Sequence, residues 1–228
     1  MGPFPLAPAR KAAGVDAFFL QGFGRISAMI MESTFRACFQ QRLLALHPQL
    51  RRALQWLRDN TDELERQDRA ATNRLFFDAL AFDANGRLLQ DEAFLAVGQN
   101  FITQGLANQR PDGSFNEHNG VDTSYQAVSI LNLAGLYVFS GASRSSPLFR
   151  ALRTAMEWER AMIGDNGEIS VESNARTGRG QEVFDGKPKE VNYPEVALAL
   201  LYIGWLLQDP TLKQRGERVI NWMSSHAH

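Results

Sequence analysis

Apolar residues recur at helical spacing along nearly the whole chain, and no alternating apolar–polar stretch marks a strand. Prolines punctuate the pattern. His47-Pro48, Ser146-Pro147 and Asp209-Pro210 each set a proline just after a capping position, where its fixed φ and missing N–H cost nothing. Gly-containing pairs at 85–86, 112–113, 140–141, 166–167 and 185–186 mark loops. Together these signals predict eight helices, over 14–45, 47–65, 68–82, 90–108, 123–139, 147–163, 192–207 and 210–225, with 1–13 irregular.

The predicted helices pair off, and the pairs resemble one another. Trp158 stands nine residues before Gly167, as Gln104 stands nine before Gly113. Pro147 and Pro210 precede Trp158 and Trp222 by 11 and 12 residues, and Pro48 precedes Trp56 by eight. "DTSYQAVSIL" lies over "EVNYPEVALA", which aligns Asp122 with Glu190 and Tyr125 with Tyr193. A weak repeat of roughly 50 to 60 residues is what stacked helical hairpins produce. The expectation is an all-α chain of about four helical hairpins, arranged as an incomplete α/α toroid in a single domain over 1–228. The three tryptophans at one repeat position are read as packing residues. Two long polar connections, 109–122 and 164–191, fall at the same end, where a rigid scaffold tends to carry its site.

Composition narrows the function classes. The 228 residues carry a formal net charge of −1, so no basic field points to nucleic acid. The single cysteine, Cys38, lies in an apolar-periodic stretch and is expected to be a buried, inert thiol in a reducing compartment. No signal-like N-terminus is read, so the expected location is cytoplasmic, although a mature exported chain would look the same. The segment Val15–Met31 carries Asp16, Gln21 and Arg25, which suits a core helix of a soluble protein and not a membrane span. No metal spacing or cofactor motif is seen among His47, His118, His226, His228 and Cys38.

Three stretches could carry chemistry. "QRPDGSFNEHNGVDTSYQ" (109–126) brings Glu117, His118, Asp122 and Tyr125 together. Thr123 with Gln126 has capping-box spacing, and Asp122 suits a helix N-terminus, so part of this stretch is architectural. "SNARTGRGQEVFDGKPKEVNYPE" (173–195) holds Arg176, Arg179, Lys187 and Lys189, with Glu190 and Tyr193 near a predicted Asn192–Glu195 capping box. Its arginines suit pairing with carboxylate or sulfate groups. "DRAATNRLFF" (68–77) offers Asn73 and Arg74 at the head of the third predicted helix.

"DGSFNEH" followed closely by a tyrosine, within helical hairpins, resembles the α/α-toroid domain of polysaccharide lyases of the chondroitin/hyaluronate type. In that family an asparagine on an earlier helix, a histidine after a DGSF-like turn and a following tyrosine line the cleft. The resemblance implies catalytic roles for His118 and Tyr125, and for Asn73 in "TNR" by a looser match. It covers only 109–126 and 72–74; those lyases also have longer toroids and added β-sandwich domains. It implies β-elimination on an anionic, uronate-containing oligosaccharide, with Asn73 and Arg176 or Arg179 neutralising the uronate carboxylate. Glu117, Asp122, Glu190 and Tyr193 would complete the binding site.

Other readings stay open. A glycoside hydrolase on the same scaffold would need carboxylates facing each other, such as Glu117 or Asp122 against Glu190 or Glu195. A non-catalytic helical-repeat protein would use the same face to hold a glycan or protein partner. A terpenoid-cyclase role lacks the aspartate-rich motifs it requires. Missing hairpins of a toroid could come from a second chain, so an oligomer is open.

Overall fold

The computed structural model describes residues 9–226, and side chains from residue 13 onward. Helices dominate: α1 (Ala9–Glu32), α2 (Arg36–Asp59), α3 (Thr61–Asp68), α4 (Thr72–Leu89), α5 (Glu92–Ala107), α6 (Thr123–Ser140), α7 (Pro147–Ala161), α8 (Tyr193–Leu207) and α9 (Pro210–His226). A two-residue antiparallel pair, β1 (Val183–Phe184) and β2 (Lys187–Pro188), interrupts the connection before α8. The expected all-α class holds. No described helix is long and apolar enough to cross a membrane. Of the stretch read as irregular, 9–13 begin α1; residues 1–8 and His228 lie outside the described residues.

Contacts divide the chain into two compact units. The first comprises the chain up to Arg69 together with Arg74–Gly105; the second comprises Ala70–Asn73 and everything from Leu106 on.

In the first unit α4 is buried on every side from Asp78 to Gly86. Phe82 stacks on Phe101 with centroids 6.1 Å apart, and lies 6.4 Å from Phe94. The predicted loop at Asn85-Gly86 is helix instead. Buried Asn85 donates to the Leu20 carbonyl at 2.8 Å and the Ala81 carbonyl at 2.7 Å, which satisfies the NH2 group, though not the Oδ1, of a residue that sequence alone reads as turn-forming. Its side chain fills the space where a β-carbon on Gly24 would stand.

Two further expectations fail here for packing reasons. The helix read over 14–45 breaks at residues 33–35, where Ser33 Oγ accepts from Phe35 N at 3.1 Å. Pro48 then lies inside α2 and does not open a helix. Leu43, Leu50, Leu54 and Leu57 bury one stripe of α2, and that burial outweighs a proline cost of about 3 kcal/mol. Cys38 is exposed, not buried, because the first half of α2 leaves most of its apolar residues uncovered.

In the second unit α6 and α7 pack as one hairpin and α8 and α9 as the next, with α6 beside α8. α6 is buried over most of its surface, from Thr123 through Leu136. α7 buries one stripe, including Phe149, Leu152, Ala155 and Met156. Pro147 and Pro210 do stand at helix starts. Trp158 is buried, and Trp222 stacks on Tyr193 at 4.6 Å, so both are packing residues.

Candidate functional site

The two long connections of the second unit begin with the same turn. Gln109 bridges Phe115 in the first, and Ile163 bridges Ile169 in the second. Arg110 N donates to Ser114 O at 2.8 Å, and Gly164 N donates to Glu168 O at 2.8 Å. Asp112 Oδ1 accepts from Ser114 N at 3.0 Å, as Asn166 Oδ1 accepts from Glu168 N at 3.0 Å. Gly113 and Gly167 take φ of 94° and 92°, which L side chains rarely adopt. A β-carbon at either would fall on a neighbouring helix carbonyl, Thr154 O for Gly113 and Arg218 O for Gly167.

The connections then diverge and meet. Val121 bridges Asn174, and Ala175 N donates to Val121 O at 2.8 Å. Asp122, not Thr123, caps α6. Its carboxylate accepts from Ser124 N (3.1 Å), Tyr125 N (3.4 Å), Arg176 N (3.0 Å), Thr177 N (2.8 Å) and the Thr177 hydroxyl (2.9 Å). Gln126 does not reach back to the cap. It accepts from Phe115 N at 2.8 Å and donates to Gly113 O at 3.3 Å and Ala155 O at 3.2 Å, locking the first turn to α6 and α7. In the second turn the Tyr193 hydroxyl does this work, accepting from Ile169 N at 3.3 Å. Tyr193 therefore corresponds to Gln126, not to Tyr125.

Pinning residues 174–177 on the α6 N-terminus delivers Arg176 to the first connection. Its guanidinium pairs with buried Glu117 and grips Glu182, Nε to Oε2 at 2.9 Å and Nη2 to Oε1 at 3.1 Å. The same guanidinium lies 4.0 Å from the Tyr125 ring centroid. Lys189 donates to the Tyr125 hydroxyl and lies 4.6 Å from its ring, and Glu182 lies within 3.3 Å of the same hydroxyl. His118, held at φ 52°, has a half-exposed side chain whose Nε2 is 3.8 Å from Glu117 Oε1. The backbone of 70–72 joins this wall: His118 N donates to Ala70 O, and Thr72 N to Asn116 O at 3.2 Å. Asn73 follows, buried, with its Oδ1 lacking a protein partner.

The electrostatics favour a protonated phenol. Burial raises the Tyr125 pKa above its ordinary value, although the Lys189 hydrogen bond and the charge of Arg176 pull the other way. For Glu182, burial is outweighed by the hydrogen bond and charge of Arg176, then by Lys189, so its carboxyl sits below the usual range. Lys189 is raised: burial would lower it, but the bond to Tyr125 and the charge of Glu182 win. Two arginine and lysine cations thus face two glutamates, and the phenol lies among them.

The structure gathers Asn73, Glu117, His118, Asp122, Tyr125 and Arg176 in one region of one unit. It does not bring the remaining candidates to this network by any described contact. Arg179 is exposed and donates to the Glu172 carbonyl at 2.7 Å, Glu190 is exposed, and Tyr193 is committed to its turn and to Trp222. Glu195 partners its cap residue Asn192, as the capping-box spacing predicts. Arg74 lies in the other unit and pairs with Asp68 at 3.2 Å. Glu182, Thr177 and Asn174 were missed, and Lys189 was read only as part of a charged loop. Among the described residues no group of three or more His, Cys, Asp or Glu is placed to hold a metal ion. Concavities of about 650 Å³ beside Trp222 and about 110 Å³ between Arg153 and Leu212 are not lined by His118, Tyr125 or Arg176.

No protein-family profile, no curated protein and no solved structure matches the chain. The likeness to uronate lyases therefore rests on the residues themselves.

Proposed function

We propose that the second unit carries the active site of a carbohydrate-active protein, a lyase that cleaves an anionic, uronate-containing glycan by β-elimination. One observation carries this reading: a single network links His118, through Glu117 and Arg176, to the hydroxyl-bearing ring of Tyr125. Those are the residue types an elimination needs. His118 is the base, half exposed, with the buried Glu117 carboxylate behind its ring. Tyr125, kept protonated by burial, donates to the leaving oxygen. Arg176 is held by two glutamates and Lys189 only shares one of them, at 3.5 Å, so Lys189, helped by Asn73, offsets the substrate carboxylate. In the same reading the hairpins form an incomplete α/α toroid with α6 and α8 on its inner side.

The test is an incubation with uronate polymers such as alginate, pectate, chondroitin and hyaluronan, following the ultraviolet absorbance of the conjugated double bond in the product. Tyr125→Phe and His118→Ala are each expected to lower kcat at least about 100-fold in a folded protein. Undiminished activity in both removes these residues from the mechanism.

A second reading is favoured by the ion pairs themselves. Glu117 and Glu182 neutralise Arg176 and Lys189 within the protein, which suits a non-catalytic surface that binds a glycan or a protein. It predicts binding without turnover. The hydrolase reading has less support, since five donors already occupy the Asp122 carboxylate.

A further inference from the structure

α1 is apolar on two opposite faces, and only one of them is covered. Ala13, Ala17, Leu20, Gly24 and Ser27 form the buried face, which packs within the first unit. Directly opposite, Val15, Phe19, Gly22, Ile26 and Met29 fall on one narrow stripe with 4-3-4-3 spacing. Four of these are exposed: Val15 60%, Phe19 65%, Ile26 60% and Met29 65%. Phe18, at 60%, flanks the stripe, although its ring also meets Phe77 at 5.2 Å. A helix apolar all round belongs in an interior, and a solvated seam of this kind marks a contact surface.

The geometry points to a second copy of this chain as the occupant, with α1 packing antiparallel on its symmetry mate about a two-fold axis at Gly22. Three features select that partner. The spacing is that of a seam between two helices, alternating threes and fours. The register is largely self-complementary: a two-fold at Gly22 sets Val15 against the other copy's Met29 and Ile26 against its Phe18, while Phe19 falls against its Arg25. At the centre a β-carbon on Gly22 would meet nothing within 4 Å, which leaves room for a second backbone to approach. No charged residue lies in the stripe itself, and the Arg25 that the two-fold brings beside Phe19 can lay its guanidinium over that ring.

The area is sufficient. Taking about 200 Å² for a whole phenylalanine and scaling by these exposures gives roughly 550 Å² for the stripe and Phe18. Two copies then bury about 1,100 Å², above the roughly 1,000 Å² expected of a specific interface.

The experiment is light scattering and sedimentation of the full chain at micromolar concentrations, without added ligand. The expected mass is that of a dimer. Ile26→Glu, which sets a carboxylate against the other copy's Phe18, is expected to raise the dimer dissociation constant at least about tenfold. The substituted position is exposed, so the fold should persist, and circular dichroism checks it. Gly22→Cys in a Cys38→Ser background is expected to cross-link into a covalent dimer under mild oxidation. A wild-type monomer overturns the proposal, as does a dimer indifferent to Ile26→Glu. Two specific results would also overturn it by naming another cover: a monomer that floats with anionic lipid vesicles, or a dimer that forms only after residues 1–8 are removed.

Discussion

The turn at 108–116 and the turn at 162–170 are one structure made twice, 54 residues apart (109 to 163, 115 to 169). Each has the same backbone bonds, the same side-chain bond two residues on, and a glycine pressed against the second helix of its own hairpin. After the turns the likeness ends. The first connection reaches α6 within six residues, and His118 takes a left-handed backbone on the way. The second runs on through Asn174, Arg176, Glu182 and Lys189 and folds over the start of α6. What repeats is scaffold; what does not repeat holds the charges. The candidate site is therefore the place where an inserted segment of one repeat lands on its neighbour.

The hardest test of the twin turns is a methyl group. Gly113→Ala and Gly167→Ala each impose an unfavourable φ and drive a β-carbon into a helix carbonyl. Each should destabilise the protein by about 3–4 kcal/mol, measured by urea titration. The costs should match. A silent substitution at either glycine breaks the equivalence.

Much of this scaffold was legible in the sequence, and for a local reason. Asp112-Gly113 and Asn166-Gly167 dictate their own turns, Pro147 and Pro210 announce helix starts, and Asn192 with Glu195 caps α8 as its spacing predicts. Misreadings arose where tertiary partners overrode local chemistry. Asn85 found two helix carbonyls, Pro48 rode within a leucine stripe, and Gln126, expected to close a capping box with Thr123, was taken by the turn. The site was half legible. Glu117, His118 and Tyr125 stood out because titratable groups crowd a short stretch. Glu182 could not, since its role depends on a chain reversal that brings it to Tyr125, 57 positions away. Tyr193 was matched to Tyr125 by residue type, whereas its hydroxyl performs the task of Gln126.

The caps of α6 and α8 sharpen the contrast between scaffold and insert. Asn192 caps α8 through Glu195 N at 3.2 Å, a local task. Asp122 caps α6 and also holds the backbone N–H groups of Arg176 and Thr177. Asn192→Ala should cost about 1 kcal/mol, as caps do. Asp122→Ala should cost about 2–3 kcal/mol, because it leaves buried donors unpaired as well. It should also speed hydrogen exchange at Arg176 and Thr177 without changing exchange in the turn at 162–170. Equal costs at the two caps would mean that the insert is held by something other than Asp122.

The smallest effect has the opposite sign. Trp158 and Trp222 each stand four residues after the helix carbonyl that meets a turn glycine, on α7 and α9, so Glu159 corresponds to Met223. Glu159 is wholly buried, and neither carboxyl oxygen has a partner. Burial, with the nearby Asp122 charge, raises its pKa well above the ordinary 4.5. The folded state therefore keeps a proton that the unfolded chain releases above that pH. Stability falls as pH rises from 4.5 toward the folded value, by up to about 1.4 kcal/mol per pH unit. Glu159→Met borrows the twin's residue and removes that slope. At neutral pH it should stabilise the protein by about 1–2 kcal/mol, with the gain shrinking as pH drops toward 4.5. Buried Asp78, raised in the same direction, contributes equally to both proteins, so the difference between their urea midpoints across pH isolates Glu159. A loss of stability at neutral pH would show that this repeat had found a use for the acid, and that α7 and α9 differ in function as the two connections do.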